Sequence, residues 1–440
     1  MRNLILCSIF ALCAFASAGA QTPEPQTPAE CLATVQNYPR RQAEAARIAG
    51  QKLNYRQYQA DAQALAKKHA AKFTVESVRE NELVALARLY VSAQQYELAG
   101  AAIKRRLAST ALTTDERAEA LAAGVDVALS VKDITDEVLK QAEALVAQLD
   151  ALPGVAISRQ LAAHGRIGGY YSYADMDAKN LEHHEKIVAL INKSSAEEQK
   201  RLAMQKSSAY QSIAVVHANR GQADKAIDVL KTAAAELSGT PNAAQWLNQA
   251  IKRYSQIGQS APAIKAAHWI NAESVPRPVG SDASKELSFG GRVTLLQFTA
   301  HWCIPCRNSY PAIHKFHDKF AEQGLEVVFS TQLYGFFEKR EGLKPEEELE
   351  ADREYYAKHH GLPFKVAVEP RLIFTETGAP SAREDNEAKY FVGGIPQMVL
   401  IDKQGNVRMV MIGWDAANET RMTQLIEKLL GEPAPAKSQK

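Results

Sequence analysis

The amino-acid sequence predicts two unlike folded parts, an all-α solenoid-like N-terminal region and an α/β C-terminal domain. Three observations carry this. From Cys31 to about Asn271 the chain is Ala-rich and helix-forming, broken only by Pro39, Pro153, Pro241 and Pro262. The shorter remainder holds eleven prolines, with β-branched runs and more aromatic residues. A length of 440 residues also exceeds one ordinary domain, at about 100–200 residues each. With 46% hydrophobic and 23% charged residues, wholesale disorder, collagen-like sequence and a polytopic membrane protein are excluded. Basic and acidic residues balance at 52 and 50, and no basic stripe is interleaved with aromatics, which argues against nucleic acid as a partner. Five cysteines are too few for a disulfide-built scaffold.

In chain order, Arg2, the apolar run Leu4–Ala16 and Ala18-Gly19-Ala20 have the layout of a secretory signal peptide cleaved after Ala20. An uncleaved anchor is the alternative; Cys7 and Cys13 sit in no convincing lipidation box. Cleavage leaves Cys31, Cys303 and Cys306 in an oxidising compartment, periplasmic or secreted, with no stable membrane span. Residues 21–30 read as a Pro-rich linker, 31–271 as the helical domain, 272–431 as the α/β domain and 432–440 as a disordered tail. VPRPVGSDAS marks the boundary.

The helical region shows spaced self-similarity. YQSIAVVHANRGQADKAIDVLKTAAAEL predicts a helix, a turn at Gly221 and a second helix. WLNQAIKRYSQIGQSAPAIKAAHWI matches it 37 residues on, with Gly258 at the turn and Ala263 at the place of Ala226. LVALARLYVSAQQYELAGAAIKRRL has the same shape, with Gln94 at the turn and Ala99 as the small residue. These segments resemble degenerate tetratricopeptide repeats, a plain helical bundle being the alternative. A solenoid offers a concave surface to a protein partner. Tyr170, Tyr171 and Tyr173 form a cluster expected to pack, with binding as the alternative. Cys31 is expected to be a buried thiol, with an intermolecular disulfide as the alternative.

The chemistry lies further on. GRVTLLQFTAHWCIPC predicts a buried strand, Val293–Phe298, a short turn and a C-x-x-C. Tyr310, Ile313, Phe316 and Phe320 then mark one face of a helix. Cys303 therefore falls at a helix N-terminus, where exposed N–H groups and the helix dipole stabilise a thiolate. Cys306 stands in the first turn, placed to resolve a mixed disulfide. A zinc site lacks a second C-x-x-C, although His314 and His317 lie at i, i+3; neither a metal nor an organic cofactor is expected.

WCIPCRNSYP, the strand before it and GGIPQMVLIDKQGNVRMVMIGWD resemble the thioredoxin-like oxidoreductases of the TlpA/ResA type. The resemblance covers about residues 275–431. It implies a mixed sheet flanked by helices, and KELSFGGRVTLLQF resembles the family's extra N-terminal hairpin. It implies protein thiols or disulfides as substrates, a redox partner protein, Cys303 and Cys306 as the catalytic pair, and Pro305 within the motif. Trp302, Ile395 and Pro396 would bind substrate, with Ile395-Pro396 as the cis-proline loop. From the residues alone, Gly393-Gly394-Ile395-Pro396 is a turn entering a strand, Gln397–Ile401, where Pro is tolerated only at the start. Asp402–Asn406 then reads as a hairpin turn before Val407–Ile412.

The sequence also departs from the family. Gln297 stands where a buried carboxylate is expected, and Ser309 where many relatives have Glu. His301 is a possible tuning group for the Cys303 thiolate, with a surface histidine as the alternative. Residues 333–392 form an insertion with an acidic helix at about 345–360, a short strand Lys365–Val368 and a polar loop. It is expected to be a solvated excursion, with a lid or partner-contact surface as the alternative, and His359-His360 to be solvated. The expected function is thiol–disulfide exchange on protein cysteines, with the helical domain recruiting a partner. One rival is a non-catalytic scaffold whose redox pair is structural or regulatory. A peroxidase is disfavoured because Thr299 stands four residues before Cys303 and not three.

Overall fold

The computed structural model describes residues 26–48, 55–131, 133–171, 176–271, 286–370, 385–414 and 416–433. The expected signal peptide with Cys7 and Cys13, most of the linker, Tyr173, the 275–284 turn, the loop 371–384 and residues 434–440 lie outside them. The chain divides into two compact units between Ile134 and Thr135, not near residue 272. Among the described residues no helix is long and apolar enough to cross a membrane.

The first unit is all-α: α1 (Pro28–Ile48), α2 (Tyr55–Ala70), α3 (Leu83–Ser92), α4 (Tyr96–Ala108) and α5 (Thr114–Ala128). Its first helix takes in the last residues of the expected linker. Each helix packs on the next, α1 also packs on α3 and α3 on α5, as stacked helices of a solenoid do. Leu83, Leu86, Leu89 and Tyr90 fill its core, with Ala66, Ala87, Ala99 and Ala102 as the small residues that let helices approach. Cys31 is a buried thiol in the same core. Gln94 turns α3 into α4 at φ +60°. The Gln95 N–H donates to Tyr90 O at 2.8 Å and the Gln94 N–H to Val91 O at 2.9 Å, a Schellman closure.

The second unit begins with α6 (Asp136–Ala151), α7 (Ile157–Tyr171), α8 (Asp177–Asn192), α9 (Ala196–Arg201), α10 (Ala203–Asn219), α11 (Ala223–Glu236) and α12 (Pro241–Tyr254). Gly221, at φ +74°, joins α10 to α11 as expected. Buried polar groups tie α6, α7 and α8 together. His164 Nδ1 lies 2.8 Å from His183 Nδ1, His164 Nε2 is 3.2 Å from Asp150, and His183 Nε2 is 3.2 Å from Glu143. Tyr171 is buried and donates to Glu143 at 2.8 Å, so it packs, and Tyr170 is half-buried.

The helix expected after Gly258 is absent. Gly258 does turn the chain, at φ +86°, but the segment beyond it is extended as β1 (Ile264–Lys265) and β2 (His268–Ile270). Pro262 has no N–H to give a helix. Ile264 and Ala266 point inward while Lys265 is exposed, a period of two and not of 3.6.

The rest of the unit is α/β: β3 (Glu286–Leu287), β4 (Val293–Phe298), α13 (Ile304–Phe320), β5 (Leu325–Gln332), β6 (Phe336–Phe337), β7 (Arg340–Glu341), α14 (Pro345–Arg353), β8 (Lys365–Glu369), α15 (Asn386–Lys389), β9 (Gln397–Ile401), β10 (Val407–Ile412) and α16 (Ala416–Gly431). A mixed six-stranded sheet has the order β10-β9-β4-β5-β8-β2. The strands β4, β5 and β8 are parallel, while β9, β10 and β2 run antiparallel to their neighbours. The expected N-terminal hairpin takes another form: β3 pairs with β1 and not with β4.

The upstream helices cover one face of this sheet. Leu296, Phe298, Val399, Ile401 and Val410 share a core with Tyr210, Ile213, Leu230, Leu247 and Tyr254. Val293, Leu295, Val327, Leu400 and Met411 point the other way, onto Ile313 and Phe316 of α13 and Met422 and Ile426 of α16. The connector after α12 runs across the first face. The Gly258 N–H donates to Val407 O at 2.7 Å on one edge strand, and β2 forms the opposite edge. Five strand spacings of about 4.8 Å make about 24 Å, within the reach of ten extended residues at about 3.3 Å each.

Replacing Gln94 with Gly removes the side-chain penalty of a left-handed residue, about 1–2 kcal/mol, against a smaller entropic loss. The expected outcome is a net stabilisation of about 0.5–1 kcal/mol in urea unfolding followed by circular dichroism. A destabilised variant would sink this account of the α3–α4 turn.

Candidate active site

Strand register fixes where the site lies. Phe298, the last residue of β4, pairs with Gln397, the first of β9, and with Ser330 near the end of β5. The turn after β4, the loop before β9 and the segment after β5 therefore meet at one end of the sheet. There Cys303 is the N-cap of α13, and its Sγ accepts from the Cys306 N–H at 3.2 Å. Pro305 occupies the first turn, where a missing N–H costs nothing. Cys303 and Cys306 are joined as a disulfide, with Cα atoms 5.3 Å apart. Cys303 is 3% exposed and Cys306 0%, so Cys303 is the less buried of the two.

The side chains around the pair are mostly apolar. Trp302 and Ile304 are exposed at 42% and 61%, an apolar rim around a nearly buried sulfur. The Ile395-Pro396 bond is cis, as expected, and Pro396 is buried at the start of β9. Ile395 is half-buried and packs against both core clusters. The register thus brings Trp302, Cys303, Ile395 and Pro396 to one place.

Beneath the pair, Gln297 and Ser309 are fully buried. Ser309 Oγ donates to Cys306 O at 2.7 Å and lies 3.1 Å from Gln297 Oε1. Where a carboxylate was expected, a neutral pair is buried. Thr299 Oγ1 lies 3.1 Å from Tyr310 OH, in a buried contact beside the helix.

His301 is not a surface residue. It is 5% exposed, stacked on Phe337 at 4.7 Å between ring centroids and edged by Phe336 at 5.2 Å and Tyr334 at 5.7 Å. Tyr334 also meets Trp302 edge-on at 5.5 Å. The insertion that carries these rings is likewise no solvated excursion in its described part. Leu333, Phe337, Tyr355, Tyr356, Leu362 and Phe364 are buried in the core on the α13 side. His360 packs against Tyr355 and Tyr310 and accepts from His314 through its carbonyl, so the solvated expectation for it fails; the His359 side chain lies outside the described residues. His314 and His317 are engaged separately, the latter 3.4 Å from Asp318, and among the described residues no three His, Cys, Asp or Glu side chains gather as a metal group.

One acidic pair was missed by the sequence reading. Glu348, on α14, accepts from the Tyr334 N–H at 2.5 Å and the Gly335 N–H at 2.6 Å, holding the aromatic loop over His301 and Trp302. Asp352, one turn on, is 1% exposed, and among the described residues its carboxylate has no hydrogen-bond partner. Burial and the neighbouring Glu348 push it from 3.8 up to about 8. Tyr310, Tyr334, Tyr355 and Tyr356 lie around it. The i, i+4 spacing of two acids in an otherwise solvent-facing sequence gave little sign of this.

Residues 256–426 match the family model for Redoxin. The thiol–disulfide oxidoreductase ResA of Geobacillus thermodenitrificans (strain NG80-2) is 24% identical over 126 residues, 28% of this chain and 57% of that protein. ResA of Geobacillus kaustophilus (strain HTA426) gives the same figures. The chain therefore spans little more than half the length of the curated relatives it matches. Among solved structures, a thioredoxin-like superfamily protein is 25% identical, covering 40% of this chain and 99% of that one, with a TM-score of 0.29. The C-terminal part of this chain is thus similar to the Redoxin family over residues 256–426 and to ResA over 126 residues, in agreement with the resemblance carried by its C-x-x-C motif.

A carboxyl whose folded value lies above its unfolded one contributes stability that is complete below the unfolded value and is lost as pH rises toward the folded one. For Asp352 that window runs from 3.8 to about 8. Asp352→Asn is therefore expected to stabilise the protein by about 1–3 kcal/mol at pH 7, the gain fading toward pH 4. Thermal melts from pH 4 to 8 check it. A gain independent of pH would show that ionisation of Asp352 is not the cost.

Proposed function

We propose that the Cys303–Cys306 pair carries out thiol–disulfide exchange on protein cysteines. The observation that carries this reading is the position of Cys303. Its sulfur takes an N–H at the start of α13, is the less buried of the two, and stands at the sheet end where the Ile395-Pro396 loop enters β9. The helix N-terminus lowers the thiol pKa once the pair is reduced.

In the reductive direction the Cys303 thiolate attacks one sulfur of a substrate disulfide. A mixed disulfide forms and one substrate thiolate leaves. The Cys306 thiolate then attacks Cys303 Sγ, the second substrate thiolate leaves, and the protein disulfide is closed. Two electrons pass to the substrate, whose thiolates take up two protons. Oxidation of a substrate dithiol is the same sequence reversed. Trp302, Ile395 and Pro396 form the substrate contact, with the Ile395 backbone offered to an extended peptide. His301 positions the turn before Cys303 through the rings that enclose it. The signal-like residues 1–20 support action in the periplasm or outside the cell, and the solenoid-like region supports recruitment of a protein partner.

Cys306→Ser is expected to accumulate a mixed disulfide with insulin through Cys303, visible by non-reducing electrophoresis and mass. Cys303→Ser is expected to give none and to reduce exchange to background. Wild-type exchange rates in Cys303→Ser would leave the scaffold reading in place of the enzyme. Equilibration in graded thiol buffers sets the direction. A potential at or below about −250 mV marks a reductant, and one of about −120 to −180 mV an oxidant or isomerase.

A further inference from the structure

The helical layer reaches the substrate loop through one buried cation. Arg253 lies in the last turn of α12 and is 6% exposed. Its Nε–H donates to Phe391 O at 2.6 Å. Its guanidinium fills the space beside Gly393, where an added Cβ would overlap Nη2 and stand 2.5 Å from Cζ and 2.9 Å from Nη1. Gly393 does not have a left-handed φ, so its backbone would accept any L-residue. The demand for glycine there comes from Arg253.

Further contacts from the same side hold the same segment. Gln256, beyond the end of α12, donates through Nε2 to Lys389 O at 2.7 Å, and the Lys252 ammonium lies 5.8 Å from the Phe391 ring centroid. Phe391 itself is left-handed, at φ +47°. On the sheet side Gln397 Nε2 donates to Tyr390 O at 3.1 Å, and Gln397 Oε1 accepts from the Gly393 N–H at 3.2 Å. Pro396 lies three residues beyond Gly393. Among the described residues no carboxylate pairs with Arg253, and burial lowers its affinity for the proton. A buried guanidinium without an anion stabilises little by charge. What it offers is a rigid, planar set of donors against backbone.

We propose that Arg253 is a positioning residue for the Ile395-Pro396 loop, so that the helices laid on the sheet set how tightly the exchange site holds an extended protein substrate. This rests on the exchange reading above, and one of the two tests is independent of it. Full-length protein is used throughout.

The first test is hydrogen exchange of the 389–397 amides, which needs no turnover. Arg253→Ala is expected to speed exchange at Val392 and Gly393 about tenfold or more while the β4 amides stay unchanged. Equal protection in the folded variant overturns the clamp, whatever the protein's activity. The second is kinetic, with insulin as the protein disulfide and 5,5′-dithiobis(2-nitrobenzoate) as a small one. Arg253→Ala is expected to raise the KM for insulin about tenfold, the effect of losing one charged hydrogen bond, with a much smaller change toward the small disulfide. Gly393→Ala, on an exposed loop residue, is expected to raise KM similarly, and to add less than about twofold when placed on Arg253→Ala. Additive effects, or equal losses with both disulfides, overturn the proposal. If wild type exchanges with neither disulfide, the exchange reading falls and the amide result alone decides the clamp.

Discussion

A sheet that is apolar on both faces has to be covered on both, and the C-terminal half of this molecule depends on that constraint. Along β4 the two faces alternate: Leu296 and Phe298 face one core, Val293 and Leu295 the other. The second core is closed by α13 and α16, elements of the same strand–helix alternation. The first is closed by helices that precede the sheet in sequence. Each buried Leu or Phe on that face is worth about 1.5–3 kcal/mol relative to exposure, so the covering layer is part of the folding unit and not an appendage. That is why the compact unit begins at Thr135 and not near the composition shift.

The same constraint shapes the site. With both faces covered, the open place is the end of the parallel strands, where loops from β4, β5 and β9 meet. The sulfur pair lies there on a helix N-terminus, over Gln297 and Ser309, a neutral pair at full burial in which Ser309 Oγ lies 3.1 Å from Gln297 Oε1 and Gln297 Nε2 has no hydrogen-bond partner among the described residues. A carboxylate in that position would need a proton or a partner. The ionisable group nearest the insertion's core, Asp352, is instead buried among tyrosines beside Glu348, which is occupied with backbone N–H groups.

The sequence made the centre of the site legible and left its supports hidden, for physical reasons. Cys303, Cys306, the apolar face of α13 and the strand–turn around Pro396 are local patterns, each set within some ten residues. The segment 262–271 was misread because Ala, Ile and Lys at mixed spacing suit a helix or a strand equally, and the sheet edges decided the matter. The insertion was misread because its acidic surface outnumbers its inward residues; Phe337, Tyr355 and Phe364 show no period until the chain is folded back on α13. For His301 the sequence left a tuning group and a surface histidine both open, because the rings that enclose it, Tyr334 and the β6 residues Phe336 and Phe337, lie more than thirty residues on. Arg253 and Phe391 are 138 residues apart, beyond any spacing rule.

The two hidden supports grip the candidate site from opposite sides in the same manner. Glu348 accepts the Tyr334 and Gly335 N–H groups and fixes the loop against Trp302. Arg253 donates to Phe391 O and fixes the approach to Pro396. Both grip backbone and not side chains, so the loops between them are free to carry whatever surface a substrate requires. Both gripping residues are themselves held in packed helices. A loop already fixed in its binding shape loses less entropy when an extended peptide pairs with it, on the order of 0.5–1.5 kcal/mol for each side chain that need not be ordered. On the proposed exchange reading, the disulfide centre holds its partner only long enough to exchange two bonds, and stiffness supplied from outside the strand–helix nucleus would favour encounter without adding contacts that slow release.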